Sequence, residues 1–586
     1  MRKRIAVIDR NKCHPDECGD YLCAKLCPVN RADGECILPG VPDKKARIDE
    51  VLCTGCGICP NRCPFGAITI INLPSQLNKD PVHRYGENMF ELYSLPTPLF
   101  SKVTGILGKN GIGKSTALKV MAGLLTPNLG DWKKEPKFKD IINYFKGTET
   151  QKFLEKLQKK EITLSYKPQQ VDLIPKQYSG TVRELLSQIN AKRVEEISKE
   201  LNLNHFLETE ISKISGGELQ KVAIAAAVLK DANLFLFDEP TSYLDIKQRV
   251  NISKFIRSLA NESTATIIIE HDLVILDYMT DLLNIMYGHE GAYGIVSGVK
   301  TSREGINAFL DGFLREENVR FRDHAIKFDK TQTSEGSVPH PLISWPILSK
   351  KLGHFNLKAE AGTIHRNEVV GILGENGIGK TSFIKMLAGI ISPDSGEIEK
   401  GVKVAYKPQY LETDSDQLVM AFLKEGVAKY SNQLIIPLGI EPLLTQKLSE
   451  LSGGQLQRVA IARCLSQDAN LFLLDEPSAY LDIEQRLLVS KMIKNIVQER
   501  NISILVVDHD LMFLDHISDK LIVFKGKPAQ EGLLQGPFDM EKGMNVFLKE
   551  LGITLRRDVG SHRPRINKEG SVKDREQRDQ NKWYYN

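Results

Sequence analysis

The chain lacks any long apolar run, and it has almost no cysteine beyond residue 63. No stretch approaches the roughly 18 consecutive apolar residues that a membrane-spanning helix needs. The N-terminus also lacks the long apolar stretch of a secretory signal peptide. We therefore expect a cytoplasmic protein with no membrane association. A formal net charge of +4 is too small a bias to indicate a partner.

Length and repetition indicate several domains. A chain of 586 residues predicts roughly three or four domains at about 150 residues each. Three motif residues recur at offsets of 237 or 238 positions: Ser215 and Ser452, Asp238 and Asp475, His271 and His509. Such a constant offset predicts duplicated domains.

Nine of the ten cysteines lie between Cys13 and Cys63. In a reducing compartment this clustering predicts metal ligands rather than disulfides. The run 53–64 fits C-x2-C-x2-C-x3-C-P, the spacing of bacterial two-cluster ferredoxins, and a looser run covers 13–28. In that motif the fourth cysteine binds the neighbouring cluster. We infer two 4Fe–4S clusters, one bound by Cys53, Cys56, Cys59 and Cys27, the other by Cys13, Cys18, Cys23 and Cys63.

Structural zinc is the alternative for these cysteines. We favour it less because zinc frameworks usually separate their cysteine pairs by about 12 to 20 residues. Cys36 is left over and is not expected to be a ligand, and Cys464 is expected in an apolar core. The β-type runs at residues 4–8 and 67–71 flank the module and are predicted to pair, as in ferredoxins.

Two glycine-rich segments, 108–115 and 374–381, fit the P-loop pattern. Each follows an apolar strand, 103–107 or 369–373, and opens a helix, predicted at 115–125 and 381–391. Free backbone N–H groups close on the β-phosphate, a lysine neutralises phosphate oxygens, and a hydroxyl binds Mg²⁺. The predicted ATP ligands are Asn110, Gly111, Gly113, Lys114, Ser115 and Thr116, then Asn376, Gly377, Gly379, Lys380, Thr381 and Ser382.

A Ser-Gly-Gly run occurs once in each copy, at 215–217 and 452–454. Its backbone N–H groups can bind phosphate, but the run has no lysine or metal-binding carboxylate of its own. Each run therefore resembles half of a phosphate site, and the P-loop supplies the other half. We predict that the chain folds face to face on itself and closes two composite sites.

Two apolar runs, 234–238 and 471–475, end in paired carboxylates. Such a strand is usually structural when it stands alone. Beyond a P-loop the aspartate is predicted to support Mg²⁺ and the next residue, Glu239 or Glu476, to polarise the attacking water. His271 and His509 end two further β-rich runs, 266–270 and 502–508. A lone histidine is more often a core residue, but these two fall in register and could contact the γ-phosphate.

The order of these motifs resembles the ATP-binding cassette family. It runs from P-loop to Gln169 or Gln409 in Lys-Pro-Gln, then Ser-Gly-Gly, Asp-Glu-Pro, Tyr-Leu-Asp and histidine. With the cysteine module, the whole chain resembles the class E branch, the RNase L inhibitor family. That resemblance implies an α/β fold with two P-loop nucleotide-binding domains arranged head to tail and a small α+β ferredoxin-like domain. It also implies an ATPase that recycles ribosomes.

The resemblance assigns the residues of each composite site. Site one would combine Lys114, Ser115, Gln169, Asp238, Glu239 and His271 with Ser452, Gly453 and Gly454. Site two would combine Lys380, Thr381, Gln409, Asp475, Glu476 and His509 with Ser215, Gly216 and Gly217. The Mg²⁺ ligands would be Ser115 with Gln169, and Thr381 with Gln409. Because Glu218 stands where the other copy has Gln455, and Glu270 where it has Asp508, we predict unequal turnover at the two sites.

Aromatic residues ahead of each P-loop are candidates for stacking on adenine. They are Tyr85 and Phe90 in the first copy and Phe355 in the second. Filling the cassette core is the equally weighted alternative.

From P-loop to glutamine the first copy spans 61 positions and the second 35, so the first carries 26 extra residues. These predict two amphipathic helices, 137–146 and 149–160, with Gly147-Thr148 as turn and cap. Nine lysines against five acidic residues between 131 and 160 suggest a contact with RNA phosphates. A solvated helical hairpin is the alternative.

The predicted domains are an iron–sulfur domain at 1–75, a first nucleotide-binding domain at 76–290 with its insert at about 131–162, hinge 1 at 291–330, a linker at 331–340, a second nucleotide-binding domain at 341–531, and hinge 2 with the tail at 532–586. The resemblance implies the ribosome as partner, especially its small subunit and RNA, together with a termination or rescue factor. A monomer is expected, its cassettes forming an intramolecular pseudo-dimer. Two other functions stay open: a ferredoxin-coupled redox ATPase, and the soluble ATPase subunit of a membrane transporter.

Overall fold

A computed structural model describes residues 4–40, 43–72, 80–328, 340–398, 401–409 and 416–584. It divides into two compact bodies. The first comprises Met1–Pro240, Ile256–Glu270 and Thr280–His324, and the second Thr241–Phe255, His271–Met279 and Ala325–Asn586. Two short segments of the first repeat, 241–255 and 271–279, thus belong to the body that holds the second repeat. The predicted linker lies outside the described residues except for His340.

The first body begins with the cysteine module. Its elements are β1 (Arg4–Ile8), α1 (Leu22–Leu26), α2 (Pro28–Arg31), β2 (Ile37–Pro39), β3 (Ala46–Ile48), α3 (Ile58–Arg62) and β4 (Ile68–Asn72). Strand β1 pairs antiparallel with β4, so the predicted pairing of the flanking runs is confirmed. Strands β2 and β3 form a second antiparallel pair. Cysteines and a few aliphatic side chains together make the module's core.

The first repeat follows. Its elements are β5 (His83–Arg84), β6 (Glu91–Leu92), β7 (Val103–Leu107), α4 (Lys114–Met121), α5 (Phe138–Tyr144), α6 (Glu149–Gln158), β8 (Leu164–Lys167), α7 (Ile174–Gln177), α8 (Val182–Asn190), α9 (Val194–Glu200), a 3-10 turn (Ile211–Lys213), α10 (Gly216–Val228), β9 (Leu234–Asp238), α11 (Ile246–Leu259), β10 (Ala265–Ile269), α12 (Leu273–Met279), β11 (Leu282–His289), β12 (Tyr293–Thr301), α13 (Ser302–Asp311), β13 (Phe313–Leu314) and β14 (Val319–Arg320). Eight strands form one sheet in the order β5-β6-β12-β11-β7-β10-β9-β8.

The second body holds the second repeat. Its elements are β15 (Pro341–Trp345), β16 (Leu348–Leu352), β17 (Phe355–Ala359), β18 (Gly362–His365), β19 (Val369–Leu373), α14 (Lys380–Leu387), β20 (Val404–Lys407), α15 (Val419–Phe422), α16 (Lys424–Lys429), a π-turn (Ser431–Ile435), two 3-10 turns (Glu441–Leu443 and Leu448–Glu450), α17 (Gly453–Leu465), β21 (Leu471–Asp475), α18 (Ile483–Arg500), β22 (Ser503–Val507), α19 (Leu511–Ile517), β23 (Lys520–Lys527), β24 (Glu531–Asp539), α20 (Met540–Leu551), β25 (Leu555–Arg557), β26 (Pro564–Ile566) and α21 (Val572–Asp579). Its eight-stranded sheet has the order β16-β17-β24-β23-β19-β22-β21-β20, matching the first sheet position by position.

The centre of each sheet is parallel and carries the phosphate motifs. Strand β7 lies between β10 and β11, and β19 lies between β22 and β23, all in parallel register. Every residue of β7, β9, β19 and β21 is buried. Helices cover both faces of such a sheet, so its strands show continuous apolar runs rather than alternation. The carboxyl ends of these strands bring the P-loop and the paired carboxylates to one edge of each sheet.

Several predicted boundaries differ from the structure. The helices after the P-loops end at Met121 and Leu387 rather than at 125 and 391. Gly123 and Gly389 adopt φ values of 69° and 71°, and this left-handed conformation stops a helix even where the apolar pattern continues. The two sheets also extend past the predicted domain ends at 290 and 531, because β12 and β24 belong to them. Among the described residues, no helix is long and apolar enough to cross a membrane.

The predicted insert forms two helices, α5 and α6, at slightly narrower bounds than expected. Gly147 turns the chain with φ of 82°, and Thr148 caps α6 by accepting a hydrogen bond from the Gln151 N–H at 3.3 Å. The apolar face of the hairpin packs into the first cassette's core, whereas all nine lysines between residues 131 and 160 are exposed.

Candidate ATP and cluster sites

Each P-loop wraps around its own lysine. The Lys114 ammonium donates to the carbonyls of Gly108 and Lys109 at 2.8 and 2.6 Å. The Lys380 ammonium donates to the carbonyls of Gly374 and Glu375, both at 2.7 Å. The loops follow β7 and β19 and open α4 and α14, so the lysines stand where the sequence places them. The loop carbonyls hold each ammonium at the start of a helix, where an anion binds favourably.

The P-loop hydroxyls meet the first carboxylate of each pair. Thr381 Oγ1 donates to Asp475 Oδ2 at 2.9 Å, and Ser115 holds the same position in the first P-loop, near Asp238. Burial raises the pKa of Asp238, and the charge of Glu239 adds to this shift, whereas the Ser115 hydroxyl opposes it. A buried carboxylate paired with a hydroxyl suits a divalent cation, whose charge would offset the desolvation. The structure therefore brings together the hydroxyl and carboxylate predicted around Mg²⁺.

Glu239 and Glu476, which are predicted to polarise the attacking water, contact the glutamines of the Lys-Pro-Gln segments. Gln169 Nε2 donates to Glu239 Oε1 at 2.8 Å. In the second body Gln409 also hydrogen-bonds Glu476, and His509 Nε2 lies 3.6 Å from Glu476 Oε1, an ion-pair distance. Burial opposes ionisation of Glu476, but these two neighbours outweigh it and lower the pKa of Glu476 to about 2. The carboxylate is thus held as an anion.

The two histidines are both buried, and each lies two residues after the end of a parallel strand. His509 lies in the second body beside its glutamate. His271 begins a segment that also belongs to the second body, whereas Glu239 belongs to the first. Its predicted role beside the γ-phosphate stays a prediction.

The Ser-Gly-Gly runs begin helices α10 and α17. Ser215 and Ser452 are the N-caps of these helices, each in a capping box with the residue three positions later. The glycines allow close packing, since a side chain at Gly454 would meet the Tyr480 carbonyl at 2.9 Å. Each serine hydroxyl accepts from the N–H three residues later, at 3.4 Å in both helices. The other N–H groups of such a helix start are the kind of donors that bind an anion. Their pairing with the opposite P-loop stays a prediction.

The predicted adenine-stacking residues lie against the P-loops. A Cβ added to Gly113 would come within 2.4 Å of the Phe90 ring, and one added to Gly379 within 3.0 Å of the Phe355 ring. Tyr85, which is 45% exposed, makes a hydroxyl–hydroxyl bond of 3.1 Å with Thr116. All three aromatic residues thus border a phosphate loop, a place from which a ring can stack on a base.

Sequence reasoning missed one contact of the second P-loop. The Asn376 N–H donates to Asp245 Oδ2 at 3.0 Å, and the Lys247 ammonium lies 2.7 Å from Glu375. All four residues lie in the second body, although Asp245 belongs to the first repeat. Burial lowers the pKa of Lys380 to about 8, although the negative charge of Asp245 opposes this shift. The Tyr-Leu-Asp motif was the available signal, but its partner lies 131 residues away.

The predicted cluster ligands are mostly interior. Cys13, Cys23, Cys27, Cys53 and Cys59 are buried, Cys18 and Cys63 are partly buried, and Cys56 is exposed. Burial raises the pKa of Cys23 to about 11, and its charge neighbours are Cys18, Cys13 and Cys63, the other members of its predicted set. Burial raises the pKa of Cys59 to about 12, with Cys53 the first charge neighbour, then Cys23 and Cys56. Buried thiols become thiolates readily only beside a cation or metal.

Backbone amides also point at the sulfurs. The Ala46 N–H donates to Cys13 Sγ at 3.5 Å and the Ala67 N–H to Cys63 Sγ at 3.3 Å, contacts that stabilise cluster thiolates. In the described part of the chain, no group of three His, Cys, Asp or Glu side chains is arranged to hold a single metal ion. A four-iron cluster differs because each cysteine binds its own iron. The donor set therefore fits iron–sulfur clusters.

The fold and these sites define a class of protein: an ATPase with two ATP-binding cassettes and an N-terminal iron–sulfur module. The family model "ABC transporter" matches residues 100–242 and 357–479. The models "Possible Fer4-like domain in RNase L inhibitor, RLI" and "4Fe-4S binding domain" match residues 4–35 and 46–69.

Full-length relatives extend this similarity. An uncharacterized ABC transporter ATP-binding protein of Methanocaldococcus jannaschii is 48% identical over 590 residues, covering 99% of this chain and 97% of the relative. The translation initiation factor RLI1 of Saccharomyces cerevisiae is 42% identical, covering 99% of this chain and 98% of the relative. A structure described as a model of ribosome-bound archaeal Pelota and ABCE1 matches with a TM-score of 0.93 at 49% identity, covering 100% of this chain and 99% of the other. The chain belongs to the ABCE1/RLI family of ABC ATPases.

Proposed function

We propose that this chain is an ATP-driven ribosome recycling factor that splits ribosomes into subunits after termination or rescue. Twin cassettes and a cluster module occur in one chain. Over its full length this chain is similar to a protein described in a ribosome-bound complex with Pelota. The partners we propose are the ribosome, especially its small subunit, and a termination or rescue factor. The work comes from ATP binding and hydrolysis.

The attachment of the cluster module to the first cassette is the observation that carries this proposal. Ile5 of β1 packs with Tyr93, Ala292 and Tyr293 of the cassette. The Arg84 guanidinium donates to both carboxylate oxygens of Glu50 at 2.9 and 3.0 Å, and both side chains are buried. Because a module anchored this way must follow its cassette, cassette closure would move it against a bound factor.

We propose that the ATP sites are composite. Site one would pair the first P-loop and Glu239 with the 452–454 run, and site two the second P-loop and Glu476 with the 215–217 run. The aligned hydroxyls and aspartates would hold Mg²⁺, and the glutamates would polarise the attacking water. ATP then binds the halves together and hydrolysis releases them. We propose the domain ranges predicted from the sequence, except that strands β12 and β24 belong to the sheets of the first and second nucleotide-binding domains.

We propose two 4Fe–4S clusters in the ligand sets described above. Clusters bound by interior thiolates give a small module a rigidity that its few aliphatic residues cannot supply. Iron and sulfide analysis of anaerobically purified protein should find about eight of each per chain. Substituting Cys23 with serine should halve that content, and Cys36→Ser should leave it unchanged. A full complement in Cys23→Ser would contradict the assignment.

The deciding experiment is a gradient profile of purified ribosomes mixed with this protein, ATP and a release or rescue factor. The wild type should convert intact ribosomes into subunits, whereas the paired Glu239→Gln and Glu476→Gln change should stop multiple rounds of splitting. Intact ribosomes under every condition would contradict the proposal. Reversible cluster reduction that tracks ATP turnover would instead support a redox ATPase, and co-sedimentation with membranes a transporter subunit.

A further inference from the structure

Two buried lysines have no role in the proposed chemistry. Lys167 ends strand β8 and Lys407 ends β20, and each is only 1% exposed. They immediately precede the proline and glutamine of the Lys-Pro-Gln segments. Burying an ammonium group is costly unless hydrogen bonds and charge compensate it. The same residue at the same place in both repeats therefore calls for a shared role.

Both lysines bind backbone carbonyls rather than phosphate-loop groups. Lys167 Nζ donates to the carbonyls of Asp238 and Glu239 at 2.9 and 3.1 Å. Lys407 Nζ lies 2.8 Å from the Asp475 carbonyl and 3.5 Å from that of Glu476. Each ammonium thus holds the chain where a central strand ends and the water-polarising glutamate begins.

A glutamine from the helix that begins with Ser-Gly-Gly provides a second donor. Gln220 Nε2 donates to the Glu239 carbonyl at 2.6 Å, and Gln457 Nε2 to the Glu476 carbonyl at the same distance. Gln220 is fully buried and Gln457 is 5% exposed. In each repeat, therefore, lysine and glutamine converge on one carbonyl oxygen.

The glutamates adopt a backbone conformation that needs such support. Glu239 has φ of 47° and Glu476 has φ of 48°, in the left-handed region that is unfavourable for a residue with a side chain. Their N–H groups donate to Ile269 and Val507 on the neighbouring strands, at 3.0 and 2.8 Å. Because both the N–H and the carbonyl are fixed, the direction of the Cα–Cβ bond, from which the side chain starts, is fixed as well.

We propose that Lys167 with Gln220, and Lys407 with Gln457, are positioning residues for ATP hydrolysis. They hold the carbonyl of the glutamate and thereby aim its carboxylate at the attacking water. In the first repeat the aimed Glu239 carboxylate also accepts the bond from Gln169 at 2.8 Å. The proposal rests on the proposed role of the glutamates in polarising water and is independent of any role on the ribosome.

The test uses the full chain with Glu476→Gln, so that site one alone turns over. Lys167→Met removes the ammonium but keeps the apolar stem. It should lower the single-turnover rate of ATP hydrolysis at least tenfold, while the affinity for a fluorescent ATP analogue changes less than twofold. Gln220→Met should act in the same direction. A loss of ATP affinity as large as the loss of rate would overturn the proposal.

A double-mutant cycle separates positioning from a general structural effect. When Glu239→Gln is already present, Lys167→Met should lower the residual rate less than twofold, because both changes act through one carboxylate. A further tenfold loss would contradict this. Failure of Glu239→Gln itself to slow hydrolysis would overturn the role of the glutamate instead, so the two failures are distinguishable.

Ser165 offers a matched control on the same strand. Its buried hydroxyl donates to the Ala227 carbonyl of α10 at 2.7 Å and does not contact the glutamate. Ser165→Ala should leave the hydrolysis rate within twofold of the parent. If it slows hydrolysis as much as Lys167→Met, the effect belongs to the strand and the proposal is wrong. Should Lys167→Met lose its cooperative thermal transition, Lys407→Met in a Glu239→Gln chain provides the same comparison at site two, with the same tenfold criterion.

Discussion

The residue three positions after the capping serine differs between the two Ser-Gly-Gly helices. Ser215 Oγ donates to Glu218 Oε2 at 2.7 Å, and the Ser215 N–H donates to the same oxygen at 2.8 Å. In the second copy Gln455 Oε1 accepts from the Ser452 N–H at 2.9 Å. The Ser215 hydroxyl is therefore bound to an anion, at the end of the helix where a phosphate is proposed to bind.

We predict that Glu218→Gln strengthens ATP binding at site two. The change frees the hydroxyl and removes a negative charge near the γ-phosphate, an effect of about 1 kcal/mol or roughly fivefold in affinity. The measurement is nucleotide titration of the full chain with Lys114→Met, so that site two dominates binding. The reciprocal Gln455→Glu, measured in a Lys380→Met chain, should weaken site one by a similar factor. Equal affinities before and after both changes would contradict the prediction.

Among the structural elements, a buried charge cluster joins the cluster module to the cassette, in addition to apolar contacts. Arg84 lies between Glu50 of the module and Glu91 of β6, with Nε 3.0 Å from Glu91 Oε1, and all three side chains are buried. Glu50 Oε1 also accepts from the Ala6 N–H of β1 at 3.1 Å. One carboxylate therefore joins the first strand of the module to the cassette.

We predict that Glu50→Ala destabilises the module by about 3 to 5 kcal/mol, because it leaves a buried guanidinium with one partner fewer. Hydrogen exchange at β1 should accelerate accordingly, while the second body keeps its protection. Glu50→Gln should be milder, because its amide oxygen can still accept from the Ala6 N–H and from Arg84, which keeps Glu91 as its charged partner. Similar exchange in Glu50→Ala and wild type would show that the remaining contacts hold the module without this carboxylate.

The helical hairpin α5–α6 presents exposed lysines over an apolar base, which permits a charge test without unfolding the cassette. Replacing Lys146, Lys152 and Lys159 with glutamine should reduce the salt dependence of ribosomal RNA binding. If each contacts a phosphate, the slope of log K against log salt, which is negative, should become less steep by about 0.7 to 0.9 per lysine. Lys176, Lys192 and Lys199, changed together, serve as the matched control outside the hairpin. An unchanged slope would favour a solvated hairpin.

The bounds of the central strands were predicted correctly from the sequence, because the signal for a buried strand lies within the strand's own residues. Strands β7, β9, β19 and β21 have the predicted bounds, because continuous apolar runs between turn residues indicate a buried parallel strand. Buried Lys167 and Lys407 were not predictable, since lysine is almost always exposed. Their acceptors lie 68 to 72 residues further along the chain, so only the folded sheet brings them together.

At the scale of the whole molecule, one buried charge cluster in the second body joins segments of both repeats. Arg249 donates to Asp272 at 2.9 Å, and Arg486 to Asp510 at 2.6 Å. The two aspartates directly follow His271 and His509 in the sequence. Burial raises the pKa of Asp272 to about 6. The charge of Asp510 adds to this shift, and both arginines oppose it.

This cluster predicts a pH dependence of stability that Asp272→Asn should remove. The folded pKa of Asp272, about 6, exceeds its ordinary value of 3.8, so its contribution is fully present below pH 3.8 and is lost as the pH rises through 6. The loss amounts to about 3 kcal/mol at most. Thermal unfolding between pH 4 and 7.5 should therefore show the wild type losing stability relative to Asp272→Asn, whose amide can still accept from the Ile275 N–H. Asp394→Asn provides a contrast. The hydrogen bond from Lys350 lowers the pKa of Asp394, so its contribution is present above its ordinary pKa of 3.8 and is lost only as the pH falls below that value. The difference between wild type and Asp394→Asn should therefore stay nearly constant between pH 4 and 7.5. If the difference in stability between wild type and Asp272→Asn stays constant across this range, the prediction is wrong. Asp272 would then ionise normally, with the two arginines compensating the charges of both aspartates.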